Sequence, residues 1–504
     1  MSQLFEAIES HARFRGTCTA IQSRSVRISY GNLSHQMYSL AERIAITDPK
    51  VVGILADNGL DWVLVDLAAM LMGIPVVPLP NFFSPAQLKQ VIEQAGIDLL
   101  LTDRSPESLP NVPAEPARGS RSGEKIAGYR IDHRDGPAPG LPAGTAKVTF
   151  TSGSTGTPKG VCLSLASMEQ VAMSLLNATA AHADDRHLCV SPLATLLENI
   201  AGVYVPLIAG ATCMVPSLSD VGLNGSSRLD IIAQLSMMER LHATSAIAVP
   251  QMLTAQVAAL ERGVSRPHRL RFLAVGGGTV SSRLLERAAS VGLPVFQGYG
   301  LSECGSVVAL NTAGHNQLGS VGKPLPHVRV TIEADREVFV HGSRFLGYLG
   351  GDVQSARQTP FATGDLGAFD EDGYLHIVGR KKDAFITSFG RNVSPEWVER
   401  EFLVNSRLLQ IAVFGEAQPY NIAVIVPQVG ICSDEIADTM ASVNSALPDY
   451  AQVRRWIVAH EAFTPANGQL SHNGRQKRDQ IHAAYARELE AIWASSAIQP
   501  SDYS

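Results

Sequence analysis

The amino-acid sequence predicts an α/β protein with a further unit at its C-terminus, and three patterns indicate this. In the first hundred residues, amphipathic helical patterns such as Leu33 to Ile46 alternate with short apolar runs such as Val51 to Leu55. Residues Ala309 to Leu349 give short β-rich runs broken by Gly and Pro, which favour a small barrel-like lobe. After Gly379 a new unit begins with basic residues and ends in a long helical pattern, Arg475 to Trp493. The alternation in the first part indicates layered sheets covered by helices.

The other predicted elements continue this alternation in chain order. Residues Ser105 to Gly144 are dense in Pro, Gly, Ser and Arg, which indicates a surface connection. The remaining patterns are the apolar run Ile74 to Leu79, the strand Leu188 to Val190, the apolar stretch Ile200 to Leu207, the helix Leu229 to His242, and the strands Leu270 to Val275, Val328 to Ile332 and Glu337 to His341.

Composition excludes several classes of function. The chain has 504 residues, of which 45% are hydrophobic and 17% charged, which is typical of a globular protein. A formal net charge of -6 argues against a large nucleic-acid-binding face, which needs clustered Lys and Arg. The six cysteines show no CxxC pair and no zinc-like spacing, so we expect reduced thiols in a cytoplasmic protein. The first residues show no hydrophobic segment of signal-peptide type and no apolar run reaches about 18 residues, so we expect neither a signal peptide nor a membrane span. Composition leaves the oligomeric state open.

A glycine-rich loop is the sharpest local feature. The segment Thr149 to Gly160, TFTSGSTGTPKG, places a strand before a loop of glycines, hydroxyls and one lysine. Glycines let backbone N–H groups form a concave anion site, hydroxyls add donors, and a lysine adds charge. The alternative is a flexible turn, and the NTPase spacing GxxxxGK[ST] is absent. The predicted phosphate-binding residues are Thr151, Ser152, Gly153, Ser154, Thr155, Gly156 and Lys159.

Further motifs follow the loop in a fixed order. They are Gly276 to Gly278 after a predicted strand, Gln297 to Glu303 (QGYGLSE), Thr363 to Asp365 (TGD), Gly373 to Arg380 (GYLHIVGR) and Ser388 to Glu399 (SFGRNVSPEWVE). Together with the loop, these motifs resemble the acyl-adenylate-forming superfamily, which includes acyl-CoA synthetases, nonribosomal peptide adenylation domains and luciferases. Among these, they are most similar to long-chain acyl-CoA synthetases.

The resemblance implies roles for individual residues. Tyr299 would pack on adenine beside the glycines, Glu303 would hold Mg2+ together with Thr155, and Asp365 and Arg380 would bind ribose. Gly390 would let a pantetheine arm approach closely. The remaining implied nucleotide contacts are Gly276, Gly277, Gly278, Gln297, Gly300 and Ser302.

The resemblance also implies two domains. An N-terminal region, residues 1–380, would bind ATP and the acid in two sheets and a barrel-like lobe. A small, mobile α+β domain, residues 381–504, would rotate about a hinge at Lys382 between an adenylating and a thioesterifying pose.

Two segments depart from the family pattern. The family's C-terminal lysine, which bridges carboxylate and α-phosphate, is replaced by Arg475 when Gly468 and Leu470 are aligned, and Lys477 is the alternative substitute. The second departure lies in Ser191 to Asn199 (SPLATLLEN), which resembles the PLxHxxER segment bordering the acyl pocket. Thr195 stands there for the histidine and Asn199 for the arginine, while Glu198 is kept.

These observations predict an ATP- and Mg2+-dependent acid–thiol ligase. It would activate a carboxylic acid, with a fatty or other hydrophobic acid favoured, and pass the acyl group to CoA or to the phosphopantetheine thiol of an acyl carrier protein. One alternative is adenylation of an unusual or amino acid for a dedicated carrier protein or an amine. Another is a non-catalytic nucleotide-binding protein.

Overall fold

Two large sheets, an antiparallel lobe and a C-terminal unit make up the part of the chain that the computed structural model describes. No helix in that part is long and apolar enough to cross a membrane. The described residues are 2–105, 114–116, 126–131, 140–151, 158–224, 228–278, 280, 282–342, 344–351, 360–388, 392–404, 407–471 and 474–495.

The first large sheet is parallel at its centre and antiparallel at both edges. Parallel strands bring their carboxyl ends to one edge, where α/β proteins bind ligands. The glycines after Val275 and Tyr299 leave the sheet at this edge. In spatial order its strands are β18 (Lys323–Pro324), β17 (Ala309–Leu310), β16 (Val295–Tyr299), β15 (Phe272–Val275), β14 (Ser245–Ala248), β10 (Arg186–Leu188), β11 (Thr212–Met214), β1 (Thr19–Gln22) and β2 (Arg27–Ser29).

The second large sheet carries the strand that leads into the glycine-rich loop. Its strand β3 (Val52–Leu55) is buried at all four positions, which explains the continuous apolar run Val51 to Leu55 in the sequence. In spatial order the strands are β21 (Gly347–Tyr348), β9 (Lys159–Leu163), β8 (Lys147–Thr151), β4 (Val76–Pro78), β3 (Val52–Leu55), β5 (Leu99–Thr102), β7 (Ala127–Ile131) and β6 (Ala114–Pro116).

Helices cover the two sheets, and polar side chains set where several of them begin. The predicted helix Leu33 to Ile46 starts earlier, at Tyr30, because Ser29 caps it. The apolar stretch from Ile200 is helical, with a π-helical turn at Ile200–Tyr204. The helices are α1 (Gln3–Phe14), α2 (Tyr30–Ile46), α3 (Leu60–Leu71), α4 (Pro85–Ala95), α5 (Leu165–Ala178), α6 (Leu196–Asn199), α7 (Val205–Ala209), α8 (Ile231–Arg240), α9 (Pro250–Glu261) and α10 (Ser282–Ser290).

The predicted barrel-like lobe is a four-stranded antiparallel sheet that includes the TGD and GYLHIVGR motifs. Its spatial order is β19 (Val328–Ile332), β20 (Glu337–Gly342), β22 (Phe361–Phe369) and β23 (Leu375–Arg380). The strand predicted at Leu188 to Val190 lies two residues earlier, as β10. A short hairpin, β12 (Leu223–Asn224) with β13 (Arg228–Leu229), stands apart.

The C-terminal unit packs helices against a three-stranded sheet. The predicted helix Arg475 to Trp493 begins only at Arg478, because Gln476 forms an isolated β-bridge with Leu470. The elements are β24 (Phe385–Ile386), β25 (Asn392–Val393), α11 (Pro395–Leu403), β26 (Leu408–Phe414), β27 (Asn421–Pro427), α12 (Ser433–Asn444), β28 (Val453–Val458) and α13 (Arg478–Ser495).

Candidate active site

A cleft of about 1770 Å3 runs between the large sheets, the antiparallel lobe and the C-terminal unit. It gathers predicted residues that are far apart in the sequence. Those lining it are Lys159, Thr195, Glu198, Gly276, Gly277, Gly278, Gln297, Tyr299, Gly300, Ser302, Glu303, Asp365, Arg380, Lys382, Arg475 and Lys477.

The remaining predicted residues belong to the glycine-rich loop and to the predicted pantetheine-binding segment. Thr151 ends β8 and pairs in register with Lys159 on β9. The other loop residues and the pantetheine glycine, namely Ser152, Gly153, Ser154, Thr155, Gly156 and Gly390, lie outside the described residues.

The carboxylate of Asp365 is held between two side chains of the predicted nucleotide site. The Tyr299 hydroxyl donates to its Oδ2 at 2.5 Å, and Arg380 Nε lies 2.7 Å from its Oδ1. Strands β22 and β23 place Asp365 directly opposite Arg380. Burial raises the pKa of Asp365, whereas Arg380 and Tyr299 offset part of that shift. The Asp365 carboxylate on β22 therefore offers a buried hydrogen-bond acceptor next to Tyr299, the last residue of β16.

The turns at Gly277 and Gly300, where the sequence predicts adenine contacts, depend on glycine. Gly277 has a φ of 78°, a conformation that side chains rarely adopt. At Gly300 an added Cβ would lie 1.7 Å from the carbonyl oxygen of Ser306, so only glycine fits. Behind this turn, the Asn311 side-chain amide donates to the backbone oxygen of Gln297 at 3.1 Å. These contacts fix the backbone around Tyr299.

Glu303, Lys159 and Tyr348 meet at the other end of the cleft. The Tyr348 hydroxyl donates to Glu303 Oε1 at 2.8 Å, and Lys159 Nζ lies 5.9 Å from the centre of the Tyr348 ring. Burial and the neighbouring Glu303 raise the pKa of Tyr348, which keeps it a neutral donor. Tyr348 is a further residue of this site that no sequence motif predicts, because strand pairing between β21 and β9 brings it here. A carboxylate is the oxygen donor that Mg2+ prefers.

Of the two basic candidates in the C-terminal unit, Arg475 makes the contact with the N-terminal region. Its Nε donates to the carbonyl oxygen of Gly277 at 3.1 Å. The preceding Gly474 packs tightly on Gln251, since an added Cβ would lie 2.1 Å from the Gln251 side chain. Lys477 also lines the cleft, but its described hydrogen bonds are those of its backbone, which donates to Gln469 and accepts from Gln480 and Ile481.

Charged groups surround Arg475 in the cleft. Lost hydration and then the neighbouring Arg380 lower the pKa of Arg475, while Asp365 and Glu396 act in the opposite direction. An arginine nevertheless remains charged, and this side chain keeps contact with solvent. The cleft thus holds two guanidinium groups close to one carboxylate, an arrangement suited to an anionic ligand.

The boundary between the two units is polar and contains a carboxyl with an unusual pKa. Ser394 Oγ donates to the carbonyl oxygen of Val378 at 3.0 Å, and Arg400 Nη2 donates to that of Ile377 at 3.2 Å. Glu396 lies beside them, and its burial together with the nearby Glu399 raises its pKa to about 7. Lys382, the predicted hinge residue, lines the cleft at this boundary.

The segment Ser191 to Asn199, predicted to border the acyl pocket, lies between apolar side chains of the cleft and a group of buried polar side chains. Thr195 is exposed and precedes α6, whereas the Glu198 side chain is buried and its Oε1 lies 3.5 Å from His187 Nε2. Asn199 points away from the cleft and hydrogen-bonds the buried Lys147 and Asp66. Apolar side chains line this part of the cleft: Leu196, Leu197, Ala201, Val205, Phe272 and Ala274.

Comparisons with known proteins agree with this geometry. A model of the AMP-binding enzyme family matches residues 8–347, and a model of the AMP-binding enzyme C-terminal domain matches residues 382–497. The chain is 26% identical to the long-chain-fatty-acid–CoA ligase FadD15 of Mycobacterium tuberculosis, over 86% of each chain. It is 30% identical to a feruloyl-CoA synthase of Amycolatopsis sp, over 84% of this chain and 89% of the relative.

A solved structure shares the fold. The O-succinylbenzoate coenzyme A synthetase of Bacillus subtilis in complex with ATP and magnesium superposes with a TM-score of 0.74 at 24% identity, over 94% of this chain and 98% of that one. The chain therefore belongs to the AMP-binding enzyme family and is an AMP-forming ligase of the acyl-CoA ligase type.

Proposed function

We propose that this ligase activates a fatty or other hydrophobic carboxylic acid as its acyl-adenylate and transfers the acyl group to CoA. The observation that carries the proposal is the continuity of one cleft, which joins the Tyr299–Asp365–Arg380 cluster to the apolar wall beside α6. Such a wall favours an apolar acyl chain because burying apolar surface stabilises the complex. Relatives named for fatty and aromatic acids are consistent with this substrate class.

In the adenylating step, the ionised carboxylate attacks the α-phosphorus of ATP and pyrophosphate leaves. Asp365 and Arg380 would hold the ribose, and Tyr299 would pack on the adenine. Arg475, which already contacts the adenine-side turn at Gly277, would neutralise charge between the carboxylate and the α-phosphate. No general base is needed, because the attacking carboxylate is already deprotonated.

The phosphate end of the cleft would serve the leaving group. Glu303, oriented by Tyr348, would hold Mg2+, which when bound neutralises phosphate charge. Lys159 would add a positive charge at the exit of the glycine-rich loop. Binding both substrates in one cleft excludes the water that would hydrolyse the mixed anhydride.

The second half-reaction requires the C-terminal unit to move. Rotation of residues 381–504 about Lys382 would withdraw Arg475 and bring Gly390 toward the reaction centre. The CoA thiolate would then attack the acyl carbonyl and release AMP. A carrier-protein phosphopantetheine has the same thiol chemistry, and acceptor assays distinguish it from CoA.

ATP–pyrophosphate exchange tests the first half-reaction. Fatty, aryl and amino acids are offered one at a time with ATP, Mg2+ and labelled pyrophosphate. We expect exchange with hydrophobic acids and none with small polar amino acids. Exchange restricted to an amino acid would overturn the substrate class, and ATP binding without exchange for any acid would favour a non-catalytic nucleotide-binding protein.

A further inference from the structure

Three side chains with different ligating atoms converge behind the acyl wall, between the first sheet and α6. His187 lies on β10, Cys189 directly follows that strand, and Glu198 lies on α6. Their ligating atoms all lie within 4.8 Å of one another, and all three residues are buried. His187 Nε2 and Glu198 Oε1 are 3.5 Å apart. Nothing in the proposed acyl-transfer chemistry uses this cluster.

Two of these atoms have no partner of their own. His187 Nε2 and Glu198 Oε1 are buried without a hydrogen bond, although the residues are only 6% and 1% exposed. A buried polar atom left unpaired costs free energy, so such atoms call for an explanation. Both atoms are enclosed by protein, so a group that bridges them has to fit within the cluster itself.

The remaining atoms of these side chains are already held in place. His187 Nδ1 hydrogen-bonds Ser245 Oγ at 3.0 Å, which fixes the ring and directs Nε2 into the cluster. Glu198 Oε2 accepts a hydrogen bond from the backbone N–H of Ser191 at 3.3 Å. Partners of this kind orient the ligands of metal sites.

The backbone opposite the cluster is that of Gly202, which carries no side chain into it, and its carbonyl oxygen accepts hydrogen bonds from the Cys189 and Cys213 thiols at 3.6 Å and 3.0 Å. A Cβ at Gly202 would lie 2.9 Å from Cys189 Sγ, 2.9 Å from Glu198 Oε1 and 3.1 Å from His187 Nε2. All three ligating atoms therefore surround the point where a side chain at this position would begin. The neighbouring strand adds a second thiol, because Cys213 is the register partner of His187.

We propose that His187, Cys189 and Glu198 form a buried structural site for a zinc ion, with the Cys213 thiol as the candidate fourth ligand. A donor set of imidazole nitrogen, thiolate and carboxylate suits Zn2+, whereas Mg2+ and Ca2+ prefer oxygen alone. On binding, Cys189 releases its thiol proton to water and coordinates as the thiolate.

The site ties α6 to the sheet. Glu198 is its ligand from α6, while His187 and Cys189 come from β10 and its end. The ion would therefore fix the segment that borders the acyl wall. Two of its residues, His187 and Glu198, border the cleft, but their ligating atoms are buried, as expected of a structural zinc rather than of a catalytic one with an open position.

Metal content and cobalt spectroscopy of the full-length protein test the proposal. The protein is stripped with a chelator, then titrated with Zn2+ or Co2+. We expect one ion per chain, a cobalt–thiolate charge-transfer band in the near ultraviolet, and a higher melting temperature with Zn2+. Failure of the chelated wild-type protein to take up either ion would overturn the proposal, and this outcome does not depend on any variant folding.

Matched variants locate the site. Cys189→Ser should lower the intensity of the cobalt–thiolate band and abolish the zinc-dependent rise in melting temperature, and Cys189→Ser combined with Cys213→Ser should abolish the band. Glu198→Gln, a conservative change, should weaken cobalt binding at least tenfold. Cys432→Ser, which removes an exposed free thiol, should behave as wild type. Equal loss of the band in Cys189→Ser and Cys432→Ser, or an undiminished band in the double variant Cys189→Ser with Cys213→Ser, would refute the assignment.

Discussion

Removing the buried lysine of β8 should destabilise the N-terminal region strongly. Lys147 and Asp66 are both fully buried, with Nζ 2.7 Å from Oδ1. Lys147 also bonds the Tyr204 hydroxyl at 2.6 Å and the side chain of Asn199, and Tyr204 in turn donates to Asp66 Oδ2 at 2.8 Å. The segment containing Asn199 has an arginine at this position in the family it resembles. In this chain the positive charge next to Asn199 is that of Lys147 on β8.

The magnitude follows from the loss of one partner. Lys147→Met would leave the carboxylate of Asp66 buried without its counter-charge, which costs about 3–5 kcal/mol in unfolding free energy. The double variant Asp66→Asn with Lys147→Met removes both charges and should recover more than half of that loss. Lys89→Met, which removes an exposed lysine 3.7 Å from Glu93, should change stability by less than about 1 kcal/mol.

Denaturant unfolding followed by tryptophan fluorescence measures these differences, with Trp62 packed against the lysine. The reasoning is refuted if Lys147→Met lies within about 1 kcal/mol of wild type. It is also refuted if the double variant is no more stable than Lys147→Met alone.

Three further predictions concern the cleft and the domain boundary. Arg475→Ala should lower acid-dependent pyrophosphate exchange by about 10²–10³-fold, whereas Lys477→Ala should lower it less than about threefold; the reverse order would show that Lys477 acts. Glu303→Gln should raise the Mg2+ concentration needed for half-maximal exchange, and an unchanged Mg2+ dependence would remove it from the metal site. For Glu396, a folded pKa of about 7 lies above the ordinary 4.5, so its stabilising contribution is present below about pH 4.5 and is lost as pH rises through 7. Melting curves should therefore show Glu396→Gln gaining stability over wild type between pH 5 and pH 8, and a pH-independent difference would contradict this.

Sequence motifs predicted the residues of the proposed nucleotide site, because each motif is a short continuous segment that can be recognised in the sequence. The TGD and GYLHIVGR motifs predicted Asp365 and Arg380, and the pairing of β22 with β23 places the two side by side. Their roles in binding ATP remain predictions. Tyr348 carries no such local signal, since its contact with Glu303 depends on pairing between distant strands.

Other features of the fold depend on tertiary contacts, which the periodicity of apolar residues in the sequence does not reveal. Lys147 reads as the polar residue of an ordinary strand, yet it is fully buried because Asp66 on α3 faces it. The His187, Cys189 and Glu198 cluster has no zinc-like spacing, because its residues are brought together by the end of β10 and the turn into α6 rather than by a recurring ligand motif. The start of the last helix was predicted three residues early, since the β-bridge at Gln476 interrupts a pattern that reads as helical.

A balanced product assay tests the central claim most directly. The protein is incubated with ATP, Mg2+, CoA and a hydrophobic acid that supports exchange, and AMP, ADP and acyl-CoA are quantified by chromatography. The account predicts AMP and acyl-CoA in equal amounts, with both lost in Asp365→Ala. ADP as the nucleotide product, or AMP without any acyl-CoA, would contradict it.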